Sequence, residues 1–197
     1  DFDYHKIASY SKEKIESLYE AEGIIHNRLK INSIIINAKA ITDFDSNNSI
    51  FCGIGESSNG VEVIFGENVR RIPAYLFYER SSRHPNIINV TIGDNVTSIG
   101  GYAFYGCSGL TSVTIGSSVT KIEHWAFANC SVKSVYISDI AAWCAIDFED
   151  SAAHLGGELH LKDTLITDLV IPDGVTGIGN YAFYTCSSLT SVTIPDS

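Results

Sequence analysis

A block of sequence occurs twice in this chain, and the repetition constrains its fold more than any other feature. Residues 89–107 recur at 168–186 with 11 of 19 positions identical, and equivalent positions in adjoining units, such as Phe104 and Phe127, lie 23 residues apart. A fixed period of this length is typical of a solenoid, in which one repeat is too small to enclose its own apolar face. The sequence therefore predicts a stack of similar turns, each of which we call a rung.

Each rung opens with apolar residues in the order Leu-x-x-Val-x-Ile, as at Leu110, Val113 and Ile115. Residues two apart on a strand point to the same face, so the pattern predicts a short strand with one buried side. The same spacing occurs at Ile87/Val90/Ile92, Val132/Val135/Ile137, Ile166/Leu169/Ile171 and Leu189/Val192/Ile194. Stacked side by side, these strands predict continuous apolar columns inside the molecule.

The second half of the rung contains a turn, a short apolar pair and an aromatic-Ala-Phe triplet before a cysteine. In one rung these are Val96/Ile99, Tyr102–Phe104 and Cys107. The triplet predicts a helical or 3-10 turn. The three cysteines that share this phase, at 107, 130 and 186, are expected to be small buried residues rather than disulfide partners, because their side chains point in parallel directions.

The phrase Val-Thr-Ile-Pro-Asp-x-Val-Thr-x-Ile-Gly-x-Tyr-Ala-Phe-x-x-Cys is matched almost residue for residue by 89–115 and 168–197. It resembles the repeats of the BspA-like leucine-rich repeat family, and the resemblance covers about residues 61–197. It implies an α/β repeat fold, a leucine-rich-repeat-type solenoid of short parallel strands with 3-10 or short helical turns. It also implies a secreted or cell-surface protein, usually bacterial, that is adhesive or of unknown role.

The expected organisation is an N-terminal helical cap over 1–30, containing a helix at Ser11–Glu22, followed by the solenoid over 31–197. The alternative for that helix is a partner-binding element. Within the solenoid we expect eroded rungs at 31–87, the first opened by Ile31/Ile34/Ile36. Regular rungs follow at 88–132, a longer irregular rung at 133–166 and a regular rung at 167–197. The last rung is left open, which makes an end-to-end homodimer through it an expectation.

The irregular rung holds Asp139 as a helix N-cap before Ile-Ala-Ala-Trp-Cys, and a hairpin around Lys162-Asp163-Thr164. Two interpretations stay open. It is either a variant rung, since units with a similar phrase occur in the family it resembles, or a functional insertion.

Composition excludes several classes of function. A formal net charge of −10 disfavours nucleic acid and anionic membrane surfaces, and no apolar run approaches the roughly 20 residues that a membrane span needs. No metal, cofactor or catalytic motif is recognisable; His154, Glu158 and His160 come closest to metal spacing, and a solvated loop explains them more simply. We therefore expect no enzyme, no cofactor, no metal site and no membrane insertion.

The remaining candidates for function are residues on the predicted surface of the solenoid. The residues between the buried ones on each opening strand should form an outward lane, comprising Ile64, Thr91, Thr114, Tyr136, Val170 and Thr193. The candidate binding residues are Thr91, Thr114 and Tyr136 in this lane, Trp143 in the irregular rung, and His124 and Trp125. Stacked hydroxyls also favour strands by packing alone.

The aromatic column of Tyr75, Tyr102, Trp125 and Tyr181 is interpreted as half-buried packing between rungs rather than a platform for sugars, with His124-Trp125 the one place in it to test for a ligand. The function expected is a non-enzymatic extracellular protein-binding or adhesion module, whose partner is a protein or glycan on a host or neighbouring cell. The alternative is an architectural spacer or targeting array of a larger surface protein.

Overall fold

The computed structural model describes residues 28–31, 51, 54–55, 59–78, 85–149 and 155–195, and within these ranges the chain forms the predicted solenoid of parallel strands. In chain order the strands are β1 (Arg28–Ile31), β2 (Val61–Phe65), β3 (Arg71–Ile72), β4 (Ile87–Ile92), β5 (Ser98–Ile99), β6 (Ser112–Ile115), β7 (Lys121–Ile122), β8 (Ser134–Ile137), β9 (Asp147–Phe148), β10 (Glu158–Leu161), β11 (Thr164–Leu165), β12 (Asp168–Val170) and β13 (Ser191–Thr193). One short helix, α1 (Ile140–Cys144), lies between β8 and β9.

The strands form two main sheets because every regular rung contributes one strand to each. The first sheet has the order β1-β2-β4-β6-β8-β10-β11, parallel except at its last pair, and the second has the order β3-β5-β7-β9. A smaller sheet pairs β12 with β13. The predicted period is confirmed by the register, since Val90 pairs with Val113 across β4 and β6, and Val113 with Val135 across β6 and β8.

The core consists of the columns that the repeat predicts. Val90, Val113 and Val135 are buried in register, and Phe104 stacks between Phe77 and Phe127. Removing one such side chain from water is worth about 1.5–3 kcal/mol. Each rung is therefore stabilised mainly by the rungs on either side of it.

The aromatic-Ala-Phe triplets form hydrogen-bonded turns, and the predicted 3-10 turns are not confirmed. The first residue of each triplet has left-handed backbone, with φ of 60° at Tyr75, 58° at Tyr102 and 58° at Trp125. A right-handed helical turn needs negative φ throughout, so these residues interrupt it.

The irregular segment is a variant rung that is followed by an additional strand. Asp139 is the N-cap of α1, as predicted, and its side chain accepts from the Ala142 amide at 2.8 Å. After α1, β9 joins the second sheet beside β7. The chain then returns as β10, which pairs in parallel with β8 and folds back through Lys162-Asp163 to β11. The hairpin is confirmed.

The strand that follows Ile137 in the first sheet therefore differs from the expectation. The pattern Ile166/Leu169/Ile171 predicts that β12 is the next neighbour, whereas β10 takes that place and β12 begins a separate sheet with β13. At the other end, the strand beside β2 is β1, which begins at Arg28 and ends where the predicted first opening starts. The predicted helix at 11–22, Ile34 and Ile36 lie outside the described residues.

Candidate binding surfaces

The outward face of the first sheet carries a lane of five residues in register, which we call the sheet lane. Its members are Ile64, Thr91, Thr114, Tyr136 and His160. The structure brings together the three predicted candidates Thr91, Thr114 and Tyr136. It corrects the next position, because His160 of β10 lies beside Tyr136 where Val170 was expected.

His160 is the residue of the sheet lane that sequence reasoning missed. Its ring stacks on the Tyr136 ring, with centroids 4.6 Å apart and planes at 23°. Neither ring nitrogen has a hydrogen-bond partner among the described residues, although both atoms are buried and the side chain is only 14% exposed. The Glu158 carboxylate lies 3.6 Å from Nε2, too far for a good hydrogen bond. Buried polar atoms without partners cost about 1–3 kcal/mol, so they require an explanation.

A second surface lies at the end of two stacks of aromatic rings. The inner column consists of Phe77, Phe104 and Phe127, and the outer column consists of Tyr75, Tyr102 and Trp125. In the outer column the Tyr75 and Tyr102 rings stack at 5.1 Å, and the Tyr102 and Trp125 rings at 6.1 Å, with planes at 6° and 12°. Trp125 is the last ring of this stack and is 41% exposed. The predicted packing between rungs is therefore found for Tyr75, Tyr102 and Trp125, whereas Tyr181, the predicted fourth member, meets the Tyr184 ring edge-on and is 44% exposed.

Beyond the Trp125 ring is a cleft of about 460 Å³, which we call the Trp125 cleft. Its lining includes Trp125, Phe127, Asn129, Gly157 and Thr185. Because Gly157 and Thr185 belong to later parts of the chain, the cleft lies on the side of Trp125 opposite Tyr102. A volume of this size is within the range of about 300–1,000 Å³ found for small-molecule sites.

Thr185 at the cleft is strained. Its φ of 57° is left-handed, and the same position after the two preceding triplets holds Asn129 and Gly106, with φ of 58° and 75°. Glycine adopts this conformation without strain and asparagine tolerates it, whereas a β-branched residue does not.

We expect Thr185→Gly to raise the free energy of unfolding by about 1 kcal/mol, the left-handed penalty less the greater backbone entropy of glycine. Urea denaturation followed by circular dichroism measures the change. Thr190→Gly is the matched control, because Thr190 has no positive φ and glycine there should destabilise. A destabilised Thr185→Gly protein would contradict the strain argument.

His124, beside Trp125, is exposed and belongs to a charged cluster with Lys121 and Glu149. One Glu149 oxygen lies 2.7 Å from Lys121 Nζ. The other accepts from the His124 backbone amide at 3.0 Å and lies 3.2 Å from Nδ1 of the same residue. The Lys121 side chain first, and then His124, lower the pKa of the Glu149 carboxyl from 4.5 to about 2.

This shift predicts a pH dependence. Because the pKa of Glu149 is lower in the folded state, its ionised form contributes stability above pH 4.5, and that contribution is lost as the pH falls toward about 2. The Tm difference between wild type and Glu149→Gln should therefore be largest above pH 4.5 and vanish near pH 2. Differential scanning calorimetry across this range tests it, and a difference that does not change with pH would contradict it.

Trp143 is not a surface residue, which corrects the prediction that it binds a partner. Its side chain is 1% exposed, and its indole Nε1 donates to the Ala182 carbonyl at 2.9 Å. Helix α1 turns the ring inward against Phe148, with centroids 5.5 Å apart. The residue is part of the core.

The described residues form no recognisable catalytic or metal-binding site. Burial raises the pKa of the Cys130 thiol to about 12 and that of Cys186 to about 11. Burial, and then the neighbouring Cys130, also raise the pKa of the Cys107 thiol well above its usual value. Such thiols stay protonated and are poor nucleophiles. In the described ranges no cluster of three or more His, Cys, Asp or Glu side chains could hold a metal ion. No helix among the same residues has the length and apolar character that a membrane crossing requires.

Several solved structures resemble this chain. A leucine rich cell surface protein from Faecalibacterium prausnitzii is 27% identical over 69% of this chain and 32% of its own length, with a TM-score of 0.43. A leucine-rich repeat protein from T. pallidum is 25% identical over 68% of this chain and 58% of its own length, with a TM-score of 0.41. A leucine-rich repeat protein from Bacteroides ovatus is 26% identical over 68% of this chain and 33% of its own length, with a TM-score of 0.37. The chain thus spans less than two thirds of each.

Two families match parts of the sequence. Methyladenine glycosylase matches residues 1–60, less than a third of the chain and mostly outside the described ranges. The BspA type leucine rich repeat region matches residues 70–147 and 157–197 in six copies, which together make up more than half of the chain. With the parallel register already described, this match shows that the chain belongs to the BspA-type leucine-rich repeat family.

Proposed function

We propose that this chain is a non-enzymatic extracellular binding module, and that it binds an extended protein segment along the sheet lane. The observation that carries the proposal is the continuous outward row itself: Thr91, Thr114, Tyr136 and His160 lie in register on four neighbouring strands, and the His160 ring stacks on Tyr136.

The dimensions of the lane support an extended partner. Thr91, Thr114, Tyr136 and His160 lie on four neighbouring strands, and at about 4.8 Å between strands they span roughly 14 Å. An extended chain covers that length with about four residues, at roughly 3.3 Å each. The two threonine hydroxyls and the Tyr136 phenol offer hydrogen bonds to a backbone, and the stacked Tyr136 and His160 rings add apolar contact.

Membership of the BspA-type leucine-rich repeat family supports a bacterial surface or secreted location, and the acidic charge balance is compatible with it. The partner would then be a protein on a host or neighbouring cell. This family is generally non-enzymatic, and the protonated thiols of the described rungs agree with that.

The test is binding of the purified protein to an array of extracellular host proteins, followed by surface plasmon resonance on each hit. We expect Tyr136→Ala and His160→Ala each to weaken a hit by about 30-fold or more, the equivalent of a hot spot of about 2 kcal/mol. Tyr184→Ala, an exposed tyrosine in the last rung, is the matched control and should bind as wild type.

A second candidate is an architectural spacer within a larger surface protein. The exposed apolar end favours it: Val192 and Ile194 are 54% and 67% exposed, whereas the equivalent residues of inner rungs are buried. The last rung of a second copy, in an end-to-end homodimer, would cover them. If hits are found and no sheet-lane variant changes any of them, the spacer is the better account.

A further inference from the structure

The sheet lane borders an exposed leucine of the hairpin. Strand β11 pairs antiparallel with β10 and places Leu165 directly opposite His160. The row of outward side chains therefore continues from Tyr136 through His160 to Leu165, which is 40% exposed. We call these three side chains the apolar end of the lane, because Thr91 and Thr114 precede them on β4 and β6.

The core does not require a leucine at this position. On the same hairpin the inward residues Leu159 and Ile166 are 1% and 8% exposed, and the Ile166 amide donates to the Leu159 carbonyl at 2.8 Å. A single exposed apolar side chain is ordinary. Leu165, however, lies opposite one of the two stacked rings of Tyr136 and His160, and directly opposite side chains are neighbours in an antiparallel pair. Contiguous exposed apolar surface is typical of a place where a partner binds.

In the described part of the chain, no lysine or arginine pairs with the carboxylate beside the apolar end. This carboxylate belongs to Glu158, which lies two residues before His160 on β10 and therefore on the same face. Its side chain is 55% exposed and approaches His160 Nε2 at 3.6 Å. Lys133 accepts a hydrogen bond from the Glu158 amide through its carbonyl, at 2.7 Å, but its ammonium forms no ion pair there. Beside the second sheet, by contrast, Glu149 is matched by Lys121 at 2.7 Å.

A second acidic side chain lies toward the same end of the hairpin. Asp168 is exposed and begins β12, two residues after Ile166, which bonds to the Leu159 carbonyl. In an antiparallel hairpin this position lies toward the Glu158 end of β10. The Ser191 hydroxyl donates to the Asp168 carboxylate and lowers its pKa, so this group is ionised at neutral pH. The charge beside the apolar end therefore favours a basic group on a partner over an acidic one.

We propose that the segment bound along the sheet lane carries a bulky apolar side chain that packs on the apolar end, with a lysine or arginine within two residues of it that pairs with Glu158. This inference rests on the proposed function, because it names the chemistry of the partner at the same surface. Residues two apart on a strand, as Glu158 and His160 are, lie about 6.6 Å apart. The flexible four-carbon stem of a lysine spans that distance.

The test is a selection of short random peptides, displayed on phage, against the immobilised protein and in parallel against Tyr136→Ala. We expect the peptides that are enriched only on the wild type to contain a large apolar residue with a lysine or arginine within two positions more often than the unselected library does. Enriched peptides that depend on Tyr136 but lack this pair would overturn the inference and leave the sheet lane as a binding surface. If no enriched peptide depends on Tyr136, the proposed function fails, and the inference fails with it.

Charge variants distinguish an ion pair from general attraction. For the strongest selected peptide, surface plasmon resonance should show that Glu158→Gln weakens binding about threefold, as for an exposed ion pair, and that Glu158→Lys weakens it about tenfold, because it adds repulsion. Asp163→Asn removes an exposed carboxylate from the turn of the same hairpin. It is the matched control and should bind within about twofold of wild type.

The reciprocal change is made in the peptide. When its basic residue is replaced by glutamate, it should bind Glu158→Lys more tightly than it binds the wild type. Equal losses for Glu158→Gln and Asp163→Asn, or no gain for the glutamate peptide, would mean that only overall charge is sensed, and the pairing with Glu158 would be wrong.

Leu165→Ala tests the apolar contact. Because the side chain is exposed, we expect an unchanged Tm and binding of the selected peptide that is weaker by about fivefold, from lost apolar contact. Thr164→Ala, at the exposed neighbouring position of β11, is the control and should bind as wild type. Unchanged binding by Leu165→Ala would show that the leucine is not part of the site.

Discussion

Replacing Phe104 with alanine is expected to lower the free energy of unfolding by about 3–5 kcal/mol. The side chain is completely buried. Its ring stacks on Phe77 at 5.4 Å and on Phe127 at 4.9 Å, and meets the Phe65 ring edge-on at 6.1 Å. Truncation opens a cavity that these rings cannot close, because each is held by its own rung.

The size of this effect follows from the one-dimensional architecture. In a solenoid the stability is close to a sum of rung terms and nearest-neighbour terms, and Phe104 belongs to both interfaces of its rung. A loss of this size is a large share of the roughly 5–15 kcal/mol by which native proteins are stable. We therefore expect the variant to unfold at a clearly lower urea concentration, and a single two-state transition to give way to separate transitions of the rungs before and after it.

The measurement is urea denaturation followed by circular dichroism and by fluorescence. Tyr105→Ala is the matched control, because Tyr105 is the next residue and is only partly buried among Tyr78, Tyr102 and Trp125. Tyr105→Ala should lower the free energy of unfolding by well under half as much as Phe104→Ala. A loss below about 1 kcal/mol for Phe104→Ala would mean that the column is not packed.

Where the repeat is regular, its period alone determines the register. Val90, Val113 and Val135 are paired as their spacing predicts because β-branched residues at a fixed period have one way to share a buried face. The position of β10 could not be found in this way. In its rung Gly156 stands where other rungs have Leu110 or Val132, so the first apolar residue of the opening pattern is missing.

Some residues of the candidate sites could be predicted from the sequence and others could not. Thr91, Thr114 and Tyr136 follow from strand alternation, a local property. His160 joins them only because β10 pairs with β8, and that contact is set by the variant rung between them. The Trp125 cleft is lined by residues far apart in the sequence, such as Trp125, Gly157 and Thr185, which become neighbours only when the rungs are stacked.

Trp143 illustrates the opposite error, since a tryptophan in an irregular segment was expected at the surface. Its exposure depends on where α1 packs. The indole lies against Phe148 of the same rung and donates to the Ala182 carbonyl of the last rung. A second contact joins the same two parts of the chain, from the Gly179 amide to the Cys144 carbonyl at 2.7 Å.

These contacts matter because β12 and β13 form a sheet of their own, without strand pairing to the first sheet. The last rung is therefore joined to the solenoid largely by side-chain packing and by isolated hydrogen bonds. Gly179 also lies so close to the Ile146 carbonyl that an added Cβ would collide with it, which shows how tightly this junction is packed. Trp143 is the largest buried side chain in it.

Trp143→Ala should therefore destabilise the protein by about 3–5 kcal/mol through the cavity it creates, and leave the Ala182 carbonyl without its donor. Hydrogen exchange measured by mass spectrometry should show faster exchange in 168–193, while 87–115 changes less. Trp143→Phe is the matched variant: it retains an aromatic ring but loses the pyrrole part of the indole and its hydrogen bond, and it should cost less than Trp143→Ala but at least the roughly 1–3 kcal/mol of the unsatisfied carbonyl. An unchanged Tm for Trp143→Ala would instead mean that the indole is a surface group, because a buried ring at this junction cannot be removed without loosening the last rung.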